Sequence, residues 1–80
     1  MLNHGDFGAD VAEWQTFLRA KGYCSWEGRP LRVTGEFDDD TEFATARFQR
    51  DQGLAETGIL CPQTESLARA MGWLASSLPA

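Results

Sequence analysis

The side chains of this 80-residue chain that could do chemistry are two thiols, one imidazole, a run of carboxylates, and aromatic rings set beside arginines. His4, Cys24 and Cys61 are the soft ligands and nucleophiles. Zinc sites use pairs spaced as C-x-x-C or H-E-x-x-H, and these three residues fit neither. A Cys–His nucleophile pair would need a third, orienting group, and no signature supplies one. The run Glu36, Asp38, Asp39, Asp40 and Glu42 concentrates negative charge. A calcium loop needs alternating carboxylates, a central glycine and a distant glutamate, and that order is absent. Helix capping accounts for the run. Two-carboxylate acid–base catalysis needs a deep cleft with tuned pKa values, which a domain this thin rarely supplies. No G-x-S-x-G and no phosphate-binding glycine loop occurs. The expectation is a binding module rather than an enzyme, with no catalytic residue, no metal and no cofactor.

Other residues could recognise a ligand without transforming it. Trp26 falls on no apolar stripe, so its indole either stacks on a flat apolar face of a ligand or lids the core. Arg29 and Arg32 share its segment and are either forked donors or solvated cations. Gln15 and Gln49 sit beside core residues on equivalent faces. Each either touches a ligand or ties down a neighbouring turn, and the need of buried amides for partners favours the turn.

The elements that must position these residues form an internal repeat. Gly5-Asp6-Phe7 realigns with Gly35-Glu36-Phe37 at an offset of 30 (35 − 5), and Thr34-Gly35 with Thr57-Gly58 at an offset of 23 (57 − 34). Each copy reads as glycine, any residue, a large apolar residue, a turn, then a helix. Val11, Trp14 and Leu18, with Phe17, form one apolar stripe. Thr41, Ala44 and Phe48, with Phe43, form the second. Thr64, Leu67 and Met71, with Ala68, form the third. Asp38 is placed to cap the second helix and Pro62 to open the third. Gly22-Tyr23, Gly53-Leu54 and Gly72-Trp73 each end a helix, so all three glycines should have positive φ. The helices are placed at 9–21, 39–52 and 62–72, giving an all-α, small three-helix bundle built from three turn-plus-helix repeats. Trp14, Phe48 and Leu67 should meet in its core, with Phe7 and Phe37 as plugs at equivalent turns. Residues 1–74 form the domain, Tyr23–Val33 a surface loop, and 75–80 a tail or linker.

Composition bounds the function. Apolar residues are 42% and no stretch is long enough to span a bilayer, so no membrane insertion is expected. A net charge of −5 disfavours nucleic acid and anionic membrane surfaces. A monomer is expected. Met1–Asp6 shows no signal peptide, so the chain acts in the cytoplasm, leaves by another route, or belongs to a longer exported protein.

The order and spacing of Gly5-Asp6-x-Gly8, Val11-x-x-Trp14-Gln15-x-x-Leu18, Gly22-Tyr23, Gly35-x-Phe37, Thr41-x-x-Ala44, Phe48-Gln49, Gly53-Leu54, Gly58-Ile59 and Pro62-x-Thr64 resemble the peptidoglycan-binding domain-like family. These are three-helix modules attached to bacterial and phage cell-wall enzymes. The chain departs from that pattern at several places. Trp14 stands for a usual leucine, Thr34 for aspartate, Thr45 for valine, and Asp38 and Cys61 for glycines. The resemblance implies non-catalytic binding of peptidoglycan, a linked or associated hydrolase, and a location in the cell wall, the periplasm or outside the cell. The same fold serves as a prodomain in extracellular metalloproteases, so the alternative is a protein–protein interaction or prodomain-like module without glycan binding. A shallow face near Tyr23–Phe37 is the expected site. Its contacts are Tyr23, Trp26, Arg29, Arg32 and Phe37, with the arginines facing stem-peptide carboxylates.

The last expectation concerns Cys24 and Cys61. Consecutive helices in small bundles usually run antiparallel, which puts the end of the first helix and the start of the third at opposite ends. Against this, the turn Thr57–Cys61 could cross the end of the first helix, and an extracellular setting favours a bridge. Closing 37 residues (61 − 24) would stabilise by roughly 3–4 kcal/mol. A disulfide is the expected outcome.

Overall fold

The computed structural model describes residues 1–73, so the expected tail at 75–80 lies outside the described residues. Three helices follow one another: α1 (Ala9–Ala20), α2 (Asp39–Asp51) and α3 (Pro62–Ala70). Between them the chain is extended or turned, with isolated antiparallel bridges at Leu2–Leu60, Phe7–Glu36 and Cys24–Pro30. The helices begin where the sequence places them and end one or two residues earlier.

Local chemistry explains each boundary. Asp38 accepts from the Thr41 backbone N–H (3.0 Å) and hydroxyl (2.8 Å), capping α2, while Asp39, Asp40 and Glu42 face the positive end of its dipole. Pro62 opens α3. At the other ends Gly22, Gly53 and Gly72 take φ of 91°, 76° and 107°. The next residue then folds back onto the helix: Tyr23 N–H to Leu18, Leu54 to Gln49, Trp73 to Ala68. This is the backbone pattern of a glycine-terminated helix.

The helices do not alternate in direction. Gly8 pairs with Gly35 at the starts of α1 and α2, and Tyr23 reaches Asp51 at their ends. The long connection after Gly22 carries the chain back to its starting end, which releases the antiparallel constraint that short loops impose. α3 begins beside Leu2, through Leu60, and ends beside Phe17 and Ala20 of α1.

The expected disulfide is therefore corrected: Cys24 and Cys61 are both free thiols. Cys24 follows the end of α1, whereas Cys61 precedes the start of α3, at the other end of the molecule.

The core is centred on Trp14. Its ring stacks on Phe17 (centroids 5.4 Å) and meets Phe48 (5.6 Å) and Trp73 (5.1 Å) edge-on. Such pairs add about 0.5–1.5 kcal/mol each beyond burial. Val11, Leu18, Leu31, Phe37, Ala44, Leu60 and Ala68 complete it. Two expectations fail here. Leu67 is only half-buried. α3 is short, and the fold-back after Gly72 brings Trp73 to Trp14 in its place. Phe7 is 83% exposed while Phe37 is fully buried, so only the second plug exists.

Gln15 and Gln49 tie the units together, as the need for partners suggests. Gln15 Oε1 accepts from the N–H groups of Thr34 (2.9 Å) and Gly35 (2.8 Å). Its Nε2 donates to the Glu36 carbonyl (2.8 Å) and the Thr41 hydroxyl (2.9 Å). Gln49 repeats the set one unit on, with Thr57, Gly58, Ile59 and Thr64.

Candidate functional site

The segment after α1 is a compact hairpin rather than a loose loop. Ser25 N–H donates to the Arg29 carbonyl (2.8 Å), and Gly28 N–H to the Ser25 carbonyl (2.8 Å). The Ser25 hydroxyl accepts from Arg29 N–H (3.3 Å), and Ser25 itself is buried. Leu31, 1% exposed, anchors the return strand in the core. This closed turn leaves Trp26 at its tip, 68% exposed.

Opposite the hairpin lies an outer face of α2. Phe43, Arg47 and Asp51 are spaced four apart, so they line one side of the helix. Hairpin and helix enclose a cleft of about 450 Å³, with Tyr23, Cys24 and Ser25 on one side and Phe43, Arg47 and Asp51 on the other. Trp26 also lines it. The size suits a small ligand or a short polymer segment.

Tyr23 joins the two walls. Its hydroxyl donates to Asp51 Oδ2 at 2.7 Å and its ring meets Phe48 edge-on at 5.8 Å. Burial, then the hydrogen bond to Asp51 and that carboxylate's charge, push its pKa up to about 12. The shift leads away from neutrality, so Tyr23 holds a wall and is unsuited to proton transfer near pH 7. The Arg47 guanidinium lies 5.6 Å from the Phe43 ring centroid. Among the described residues no carboxylate pairs with it. The arrangement offers aromatic surface, a forked cation and hydrogen-bonding groups, which is equipment for holding a ligand.

Metal binding has little to build on. Among the described residues no three His, Cys, Asp or Glu side chains are grouped to hold an ion. His4 Nε2 lies 2.8 Å from Asp39 Oδ1 on the surface. Cys61 meets the Thr64 hydroxyl at 3.2 Å. That contact and the Thr64 backbone N–H lower the Cys61 thiol pKa from its usual value. Among the described residues no helix is long and apolar enough to cross a membrane.

Of the residues expected at the site, Tyr23 and Trp26 line the cleft. Arg29 and Arg32 are exposed but are not among its lining residues. Phe37 is corrected: it is fully buried and belongs to the core, out of a ligand's reach. Phe43, placed on the second apolar stripe by its spacing, is only half-buried and lines the cleft instead, and Arg47 and Asp51 had no place in the expected site. Their fourfold spacing with Phe43 along α2 is the sequence signal that marks them. A more apolar groove of about 390 Å³ lies between Phe17, Ala20, Met71 and Trp73, beside the last described residue.

Residues 7–67 match the family model described as Putative peptidoglycan binding domain. The chain belongs to this family. The match spans α1, the hairpin, α2 and most of α3, so the cleft lies inside it. No curated protein and no solved structure gives a significant match to the chain. As a peptidoglycan-binding domain the chain has peptidoglycan as its family's ligand and the cell wall as the corresponding setting, and the family is one of binding rather than catalysis.

Proposed function

We propose that this chain is a non-catalytic module that binds peptidoglycan through the cleft between the hairpin and α2. It holds a covalently linked or associated cell-wall hydrolase near its polymer, in the wall, the periplasm or outside the cell, and it does so as a monomer. The exposed indole of Trp26 at the mouth of a cleft within the matched family region carries this reading. Aromatic rings stack on the apolar faces of sugar rings, and an indole standing 68% exposed is positioned to do so.

Sedimentation with purified insoluble cell walls is the test. The wild-type protein should pellet with the walls, and Trp26→Ala should pellet less while its thermal midpoint barely moves. A protein that stays in the supernatant but captures a partner protein would favour the interaction or prodomain-like alternative. A large loss of stability in Trp26→Ala would make the indole a structural group and remove it from the site.

A further inference from the structure

We infer that Arg47 is the anchor for a free carboxylate of the peptidoglycan stem peptide, seated in the cleft with its apolar part against Trp26 and Phe43; this rests on the peptidoglycan reading above. The sequence points to Arg29 and Arg32 for such a role, but neither lines the cleft. Arg47 does, and it is the lining residue that carries a permanent positive charge.

Geometry and charge support the assignment together. The Phe43 ring lies one helical turn before Arg47 and supports its guanidinium at 5.6 Å. A cation–π contact of this kind engages the ring face and does not use the guanidinium's forked N–H donors. A carboxylate presents two oxygens at the spacing of that fork. The other charged group in the cleft, Asp51, is already engaged by the Tyr23 hydroxyl at 2.7 Å. Asp51 lies one turn beyond Arg47 and would repel an anion placed beside it, which directs the carboxylate to the Arg47 end. Arg19, which lines the adjoining groove, and Arg29 of the hairpin add positive charge nearby, alongside the acidic Glu27 and Asp51. The sugars of peptidoglycan are flat-faced amides and hydroxyls, whereas its stem peptides carry carboxylates and methyl groups. Arg47 thus selects for the peptide-bearing part of the polymer.

The experiment titrates the isotopically labelled protein with three soluble probes, followed by amide and indole NMR shifts. The probes are a disaccharide–tetrapeptide, the same compound with its carboxylates amidated, and the disaccharide without peptide, its lactyl carboxyl capped as an amide. The first should bind, shifting the Trp26 indole and residues around Arg47. Amidation, removal of the peptide, or Arg47→Gln should each weaken binding about tenfold or more, as expected for a lost charge-assisted fork. Arg47→Lys keeps the charge without the fork and should recover only part of the affinity. Arg50→Gln removes the same charge off the cleft and should bind like wild type. Arg47 is on the surface, so an unchanged thermal midpoint should accompany its loss of binding. Equal binding of the peptide-free disaccharide, or wild-type affinity in Arg47→Gln, would overturn the assignment while wall sedimentation kept the broader reading intact. Failure of the wild-type protein to sediment with walls would remove both.

Discussion

The indole N–H of Trp14 is buried at the centre of the core, and the Thr45 hydroxyl accepts from it at 2.9 Å. That hydroxyl then donates to the Thr41 carbonyl at 2.7 Å. Trp14 and Thr45 are two of the positions where the chain differs from the family pattern it resembles, and in this chain the hydrogen bond joins them. Thr45→Val should leave the indole without an acceptor and cost about 1–3 kcal/mol in chemical denaturation. Adding Trp14→Phe to Thr45→Val should cost less than the sum of the single changes, because the donor is then gone as well. Tyr23 offers a second measurement, helped by its being the chain's single tyrosine. Its ultraviolet titration should centre near pH 12, and Asp51→Asn should lower the midpoint. The native state keeps this proton to higher pH than the unfolded chain does. Its contribution to stability is therefore full below about pH 10 and lost as pH rises through 12. Stripe residues such as Trp14 and Phe48 were legible from spacing, because helical period alone decides which way they face. Phe7 and Phe37 were not, because they occupy matching motif positions and only the placement of the turns separates them.

At the scale of elements, the repeated device is a helix whose glutamine grips the following turn. The Gln15 amide serves Thr34, Gly35, Glu36 and Thr41, and all of these bonds lie at or near the boundary of the core. Gln15→Leu or Gln49→Leu should leave backbone N–H groups unpartnered and cost about 1–3 kcal/mol for each one buried, read as a lowered denaturation midpoint. The turn gripped by Gln49 has a further requirement. Gly58 has φ of 75°, and a Cβ there would stand 2.7 Å from Glu42 Cγ. Gly58→Ala should therefore be more destabilising than the roughly 1 kcal/mol of an ordinary exposed helix substitution. Helix starts and stops were readable because caps and glycines act within a few residues. Helix direction was not, since the connection from Tyr23 to Asp38 sets it and no local pattern encodes where a connection of that length returns.

For the whole molecule, the shared direction of α1 and α3 separates the two thiols. The native protein should show two reactive thiols in the absence of reductant. Cys61 should become more reactive as pH rises at a lower pH than an ordinary thiol, and Thr64→Val should move that onset upward. The cleft was half legible: the hairpin side could be read from Tyr23 and Trp26, but the helix side needed the knowledge that α2 lies against it.

The glutamine contacts also impose an order in time. Both amides reach forward along the chain, Gln15 to residues 34–41 and Gln49 to residues 57–64. As the chain leaves the ribosome, α1 has no partner for its amide until the second turn has emerged, and α2 waits on the third in the same way. No prefix of the chain is a smaller finished domain. The three copies look like independent repeats on paper, yet they behave as links that close only when the next one arrives, so a fragment ending before Thr57 leaves Gln49 open and its unit unsealed.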